Sequence, residues 1–386
     1  MLKVGLTGGI ASGKSHVLRR LAGLGFVTVD LDTIAHDVMA PGGPAYAGVV
    51  KAFGSRIVAA DGTIDRRALG SIVFADAAER RRLEGLVHPR IREAEAAILG
   101  GAGDGVAVVD AALLVETGQH LRFARLVVVY CEPEVQLARL MERDGLSAAD
   151  ARARLDAQMA PADKKRFAHF VVDNSGSLAA TDAQVDALAA ALRTLAARPV
   201  AGPRVLPEDA ARFIAAGPRQ GPRGLSPWDL VAEMAASGAL DLARLARRID
   251  PESDRPWYAL PARADDAPPE TLAGPVALWS VARRPRDEAF TVSAAASVAR
   301  LTHRDPGAIS GAVLAALAAA RAIEDGGRSV AAGPRAEWIA AATAWTGAPP
   351  APSAMDPVMA AAGGAAVSAV EPARLAEVAR VLAPRA

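Results

Sequence analysis

Short apolar runs punctuate the first half of the chain: VGL near residue 4, FVTVD from 26, VAVVD from 106, LVVVY from 126 and FVVD from 170. Each is apolar on both faces and predicts a strand buried on both sides. Between them lie stretches with helical spacing of apolar positions, among them Ser15 to Leu21, Glu132 to Asp144 and Leu178 to Ala197. Strands joined in this way by helices predict a parallel α/β sheet flanked by helices, in which ligands gather at the carboxyl ends of the strands. The residues at those ends are a glycine-rich loop after the first strand, Asp30 and Asp32 after the second, and Asp110 at the end of the third.

The pattern changes near residue 200. Beyond it, helical periodicity runs through LSPWDLVAEMAASGALDLARLARRI from 225 and AISGAVLAALAAARAIEDG from 308, predicting an all-α part. Composition changes at the same place: every lysine precedes residue 200, every tryptophan follows it, and only six of the 26 prolines come before it. The stretch ARPVAGPRVLPED from Ala197 reads as a linker with breakers on both sides of a short apolar patch. The expected organisation is one domain over 1–198, a linker over 199–224 and an all-α domain over 225–386, which a chain of 386 residues accommodates without disulfides.

Charge and cysteine content narrow the function classes. With 44 basic and 43 acidic residues the net charge is +1, which argues against electrostatic capture of nucleic acid or of an anionic membrane. The single cysteine, Cys131, is expected at the buried end of a strand, and its solitude fits a reducing, cytoplasmic setting. The apolar start MLKVGL is too short for a secretory signal, and the uncharged stretch from Trp338 to Met355 is broken by Pro349, Pro350 and Pro352. A soluble protein is expected, with its oligomeric state left open.

The loop carries the chemistry. Gly8, four residues, then Gly13, Lys14 and Ser15 match the phosphate-binding pattern G-x-x-x-x-G-K-[ST], with a strand before it and a helix after it. Across Gly8, Gly9, Ile10, Ala11, Ser12, Gly13, Lys14, Ser15 and His16, backbone N–H groups and the helix start would cradle the phosphates of ATP. Lys14 would reach the β and γ phosphates, and the Ser15 hydroxyl would ligate Mg²⁺. Asp30 and Asp32, at i and i+2, point the same way in extended chain, so one could accept a hydroxyl proton while the other holds a helix start or a cation. Equally, both could cap a helix beginning near Thr33. Arg139, Arg143 and Arg154 form either a solvated helical face or a lid closing over phosphates. In DNSGS from Asp173, Asn174 and Gly176 could lie against an adenine.

Taken in order, these pieces resemble dephospho-CoA kinase over about residues 1 to 195. The matching stretches are GLTGGIASGKS at 5, VDLDTIAHDVMAPGGPAY at 29, FGSRIVAADGTIDRRALGSIVF at 53, HPRI at 88, LLVE at 113, RLMERDGLSAADARARLDAQM at 139 and DNSGS at 173. The resemblance implies a P-loop kinase fold with a helical substrate-binding insert and a lid. It also implies transfer of the γ-phosphate of ATP to the ribose 3′-hydroxyl of dephospho-CoA, with Mg²⁺. Asp32 would be the base, with Lys14 and Arg139 on the migrating phosphoryl group and Arg143 in the lid. Thr7, His36, Asp65, Arg66, His88 and Glu116 would bind the acceptor, the insert running from about Thr33 to Ile98.

Three positions depart from the family pattern. Ala11 stands where glycine is frequent, and unless its φ is negative this costs roughly 1 kcal/mol. His36 replaces a permanent cation, and Ala112 replaces a proline before LLVE. In the second half, Pro275 to Ile323 faintly resembles the ADP-ribosylglycohydrolases. Their acidic metal motif is missing at Leu225-Ser226-Pro227-Trp228-Asp229, so metal chemistry has no seat there. Two other functions fit the loop: a kinase for another nucleoside or small alcohol, and a nucleotide-dependent regulatory module. A binding module has no use for a positioned base such as Asp32, which favours the kinases.

Overall fold

The structure, a computed structural model, describes residues 1–101, 105–197, 287–300, 303, 305–325 and 336–350, with single positions at 230, 231, 242, 276, 277 and 280. It divides into two compact units. The first comprises Met1–Ala112, Val129–Leu155 and Val171–Ala197; the second comprises Leu113–Val128, Asp156–Phe170 and Arg198–Ala386. The linker over 199–224 and the motif position Leu225–Asp229 lie outside the described residues.

Each of the five apolar runs is a strand: β1 (Leu2–Gly8), β2 (Val27–Asp30), β3 (Val106–Asp110), β4 (Arg125–Tyr130) and β5 (Phe170–Asp173). The sheet order is β2-β3-β1-β4-β5. β3 lies parallel to β1, with Leu6 opposite Asp110, and parallel to β2, with Asp30 opposite Asp110. All five residues of β3 are buried, as an interior strand requires. This register brings the loop after β1, Asp30 and Asp110 to one end of the sheet.

In the first unit, α1 (Lys14–Gly23) follows the loop, and α2 (Leu31–Asp37), α3 (Tyr46–Phe53), α4 (Arg66–Ala75) and α5 (Ala77–Gly100) form the insert between β2 and β3. Aspartates start three of these helices. Asp30 accepts from Thr33 N, Asp65 from Arg67 N and Ala68 N, and Asp76 from Ala78 N and Glu79 N, each cap contributing about 1 kcal/mol. After β4 come α6 (Pro133–Asp144) and α7 (Ala148–Asp156); α9 (Leu178–Ala196) ends the unit, and α8 (Pro161–Lys165) belongs to the second. α9 is fastened to α1 by Arg20 on Asp186 at 2.7 Å and by His16 on Asp182 at 2.8 Å. Arg193 donates to the Leu24 carbonyl just beyond α1 and lies over the Phe26 ring.

In the second unit, every regular element among the described residues after 197 is helical: α10 (Glu288–Ala299), α11 (Pro306–Asp325) and α12 (Ala336–Thr346). α11 packs on both of the others. From Phe290 to Ala299 every residue of α10 is buried, as expected of a helix enclosed on all sides by its own unit. Leu230, Val231 and Leu242, in the stretch with helical periodicity from 225, are helical and buried. No helix among the described residues is long and apolar enough to cross a membrane.

Candidate active site

The loop from Gly8 to Ser15 is tight because its neighbours leave it no room. A Cβ on Gly8 would lie 2.6 Å from the Val129 carbonyl oxygen and from Ser12 Oγ. Gly13, the N-cap of α1, has φ +91°, and a Cβ there would collide with the Asn174 amide. Both positions therefore demand glycine. Ala11 has φ +59°, so the αL strain of roughly 1–2 kcal/mol is present.

Two buried amides hold the loop from behind. Gln136 on α6 donates to the Ile10 carbonyl at 2.8 Å, and Asn174 after β5 donates to the Ser12 carbonyl at 2.8 Å. Thr181 Oγ1 donates in turn to Asn174 Oδ1 at 2.8 Å, fixing which end of that amide faces the loop. The loop is also closed on itself, Ser12 N donating to the Gly9 carbonyl at 3.1 Å and His16 N to the Gly13 carbonyl at 3.0 Å. Ser12 Oγ, by contrast, is buried without a hydrogen-bond partner.

In front of the loop is a charged group. Lys14 Nζ is 3.7 Å from Asp110 Oδ1, and the Asp110 side chain is only 4% exposed. Burial pushes the Asp110 carboxyl up to about 6; Lys14 opposes the shift, and the charges of Asp30 and Asp32 add to it. Asp110 Oδ1 has no hydrogen-bond partner. Asp32 is exposed in the first turn of α2. The helix starts at Leu31 rather than near Thr33, so the extended i, i+2 geometry does not occur. Asp30 is consumed as the cap, and Asp32 is left open to solvent.

The other candidates divide clearly. Ser15 is exposed in the first turn of α1, while the His16 ring is turned away onto Asp182. Arg139, one turn beyond Gln136, is half-buried and donates to Cys131 Sγ at 3.5 Å; Cys131 is buried just past β4, as expected. Arg143 and Arg154 do not reach toward the loop but converge on Asp144 at 2.7 and 3.1 Å, because Gly145 turns the chain so that α6 and α7 present all three to solvent. Asn174, expected against an adenine, faces inward as the loop's tether, whereas Gly176 is exposed. Thr7 is fully buried and gives its hydroxyl to the Ala112 carbonyl at 3.0 Å, so its side chain is not offered to a substrate. His36, Arg66 and His88 are exposed on the insert, and Asp65 is committed to capping α4. Glu116 lies in the second unit, paired with the buried Lys164 at 2.7 Å and accepting from Met159 N. Gln136 escaped sequence reasoning altogether, since a glutamine within PEVQLARL carries no local signal of a bond to residue 10.

The hard oxygens here suit magnesium: the Asp110 carboxylate and the Ser15 hydroxyl. Among the described residues no three His, Cys, Asp or Glu side chains form a metal cage. Magnesium needs none where phosphates complete its shell.

A family model of dephospho-CoA kinase matches residues 2–180. The dephospho-CoA kinase of Geobacter sulfurreducens is 49% identical over 177 residues, which make up 45% of this chain and 90% of that protein. That of Geobacter metallireducens is 48% identical over 191 residues, 49% of this chain and 95% of that protein. Among solved structures, TT1252 from Thermus thermophilus is 32% identical, covering 50% of this chain and 97% of that one with a TM-score of 0.45. The matched stretch thus accounts for nearly all of each relative, and the second half of this chain lies beyond it. With the family model running from the first strand into α9, relatives at this identity, matched over nine-tenths of their length, establish that the chain belongs to the dephospho-CoA kinase family.

Proposed function

We propose that the chain transfers the γ-phosphate of ATP to the ribose 3′-hydroxyl of dephospho-CoA, giving CoA and ADP. The observation that carries this reading is the pairing of a fastened phosphate loop with acidic groups at the ends of β2 and β3, in a member of this family. The loop's N–H groups and the start of α1 bind the phosphates. Lys14 neutralises the charge that builds on the γ-phosphoryl oxygens, assisted by Arg139. The 3′-oxygen bonds to the γ-phosphorus as the β–γ bridging oxygen departs with its electron pair on ADP. Asp32, being solvent-open, takes the 3′-hydroxyl proton.

Ser15 and Asp110 would hold Mg²⁺, which supplies charge neutralisation between the phosphates. Binding there would also answer the unpartnered oxygen of Asp110. His36, Asp65, Arg66 and His88 of the insert are assigned to the acceptor, Gly176 to the nucleotide, and Arg143 to a lid that moves to its ligand. The reading takes 1–198 as the kinase, 199–224 as a linker and 225–386 as an all-α part. It takes dephospho-CoA rather than nucleic acid or membrane as the partner, and a cytoplasmic setting in keeping with the lone buried thiol.

The test is ADP release by the purified chain with Mg-ATP, with and without dephospho-CoA, the product being identified by mass. Acceptor-dependent gain of one phosphate on the 3′-oxygen supports the reading. Bound ATP without that product refutes it.

A further inference from the structure

Within the second unit, α10 grips two connections of the kinase, and it does so through specific polar bonds. The first connection, leading from β3 into β4, is held where it ends, at Arg125, the first residue of β4, whose guanidinium meets Asp287 at 2.6 Å with both side chains less than a fifth exposed. It is held again at His120, whose Nε2 lies 3.0 Å from Ser297 Oγ. Ser297 gives its one proton to the Ser293 carbonyl, so His120 is the donor. The second connection, between α7 and β5, is held at His169. Leu126 N donates to its Nδ1 at 3.0 Å, which puts the ring proton on Nε2, facing the Ala289 carbonyl at 3.2 Å. It is held also at Phe167, with the Arg300 guanidinium 4.9 Å over its ring. Glu116 and Lys164 tie the two connections to each other.

A surface built only for solvent has no need of a buried and a half-buried histidine, each in a single tautomer, and a half-buried arginine matched to one helix. The two Geobacter relatives, covered to 90% and 95% by the first half of this chain, leave no length for a counterpart to α10. The second connection begins where α7 ends, directly after the arginine-bearing helices.

We propose that α10 is a positioning bracket: by holding both connections it sets the mobility of the α6–α7 arginines and so governs kinase turnover in cis. This rests on the kinase reading above. Asp287→Lys in the full chain puts a like charge against Arg125, whereas Asp287→Asn removes the charge but keeps the helix cap. For Asp287→Lys, amide hydrogen exchange should quicken in 113–128 and 156–170. Its kcat should fall at least ~5-fold, the low end of coupling between separate sites, while KM for ATP stays within ~2-fold. Asp287→Asn should stay near wild type. Should Asp287→Lys fail to fold, Ser297→Ala, which removes the acceptor of His120 together with a bond to the Ser293 carbonyl inside α10, should shift exchange and kcat in the same direction by less. Unchanged exchange in these segments, or faster exchange with unchanged kcat, overturns the bracket. If the wild type shows no turnover with dephospho-CoA, the kinase reading fails on its own, and the exchange result alone then decides whether α10 holds the two connections.

Discussion

His120 and His169 make the protein's stability sensitive to mild acid. Burial lowers His120 to about 3, with the charges of His169 and Arg300 adding to the shift and a backbone bond at Leu114 opposing it. Burial likewise lowers His169 to about 4; Arg125 adds to the shift, and Ala289 and Asp287 oppose it. Both rings are neutral in the fold and protonate in the unfolded chain near 6.5, so their contribution is fully present above that value and is lost as pH falls. Between about pH 8 and about pH 5.5 the unfolded state gains nearly one proton at each, which costs about 1.4 kcal/mol per histidine and about 3 kcal/mol for the pair. Against a total of roughly 5–15 kcal/mol this is large. Asp110 works the other way, since its raised carboxyl favours the fold as pH drops, but it is common to any pair of variants. The assay is urea unfolding of the full chain at both pH values, comparing wild type with His120→Gln/His169→Gln, whose amides can still donate to Ser297 and Ala289. Wild type should lose about 3 kcal/mol more than the variant on acidification. Equal losses would refute the assignment of these two rings as neutral in the fold.

Three further outcomes are expected. Ala11→Gly relieves the αL strain and restores some unfolded-state freedom, for a net gain of about 0.5–1 kcal/mol in thermal or urea unfolding; a loss of stability would contradict the positive φ. Asp32→Ala should keep ATP binding, measured by calorimetry, while turnover drops at least ~10²-fold, and unchanged turnover removes Asp32 from proton transfer. Compared with Asp110→Asn, wild type without ligand should lose about 2.5 kcal/mol more stability between about pH 4 and about pH 7, for a carboxyl raised to about 6. Equal pH dependence of wild type and variant over that window would show Asp110 to be ionised at no cost.

What sequence could reveal follows the range of the forces involved. The strands were legible because burial on both faces imprints every successive residue, and β3 is apolar from Val106 to its last residue but one. The loop was legible because Gly8 and Gly13 are demanded by sterics at fixed spacing. The start of α2 was misjudged by two residues: Asp30 and Asp32 are both good caps by composition, and only the end of β2 decides between them. Asn174 and Gln136 could not be read at all as tethers, since their partners lie 162 and 126 residues away and a hydrogen bond to a carbonyl leaves no periodic trace. The same holds for His120, 177 residues from Ser297.

The grip of α10 on the β3–β4 and α7–β5 connections has a consequence for how the chain is made. Ser297 follows Phe170, the last residue of the second connection, by 127 positions (297 − 170). At about 5–20 residues per second a ribosome needs roughly 6–25 s to bridge that gap. Throughout that interval a nascent kinase presents Phe167, His120 and Arg125 without the helix that covers them, a window in which chaperone capture and self-association compete with completion of the fold.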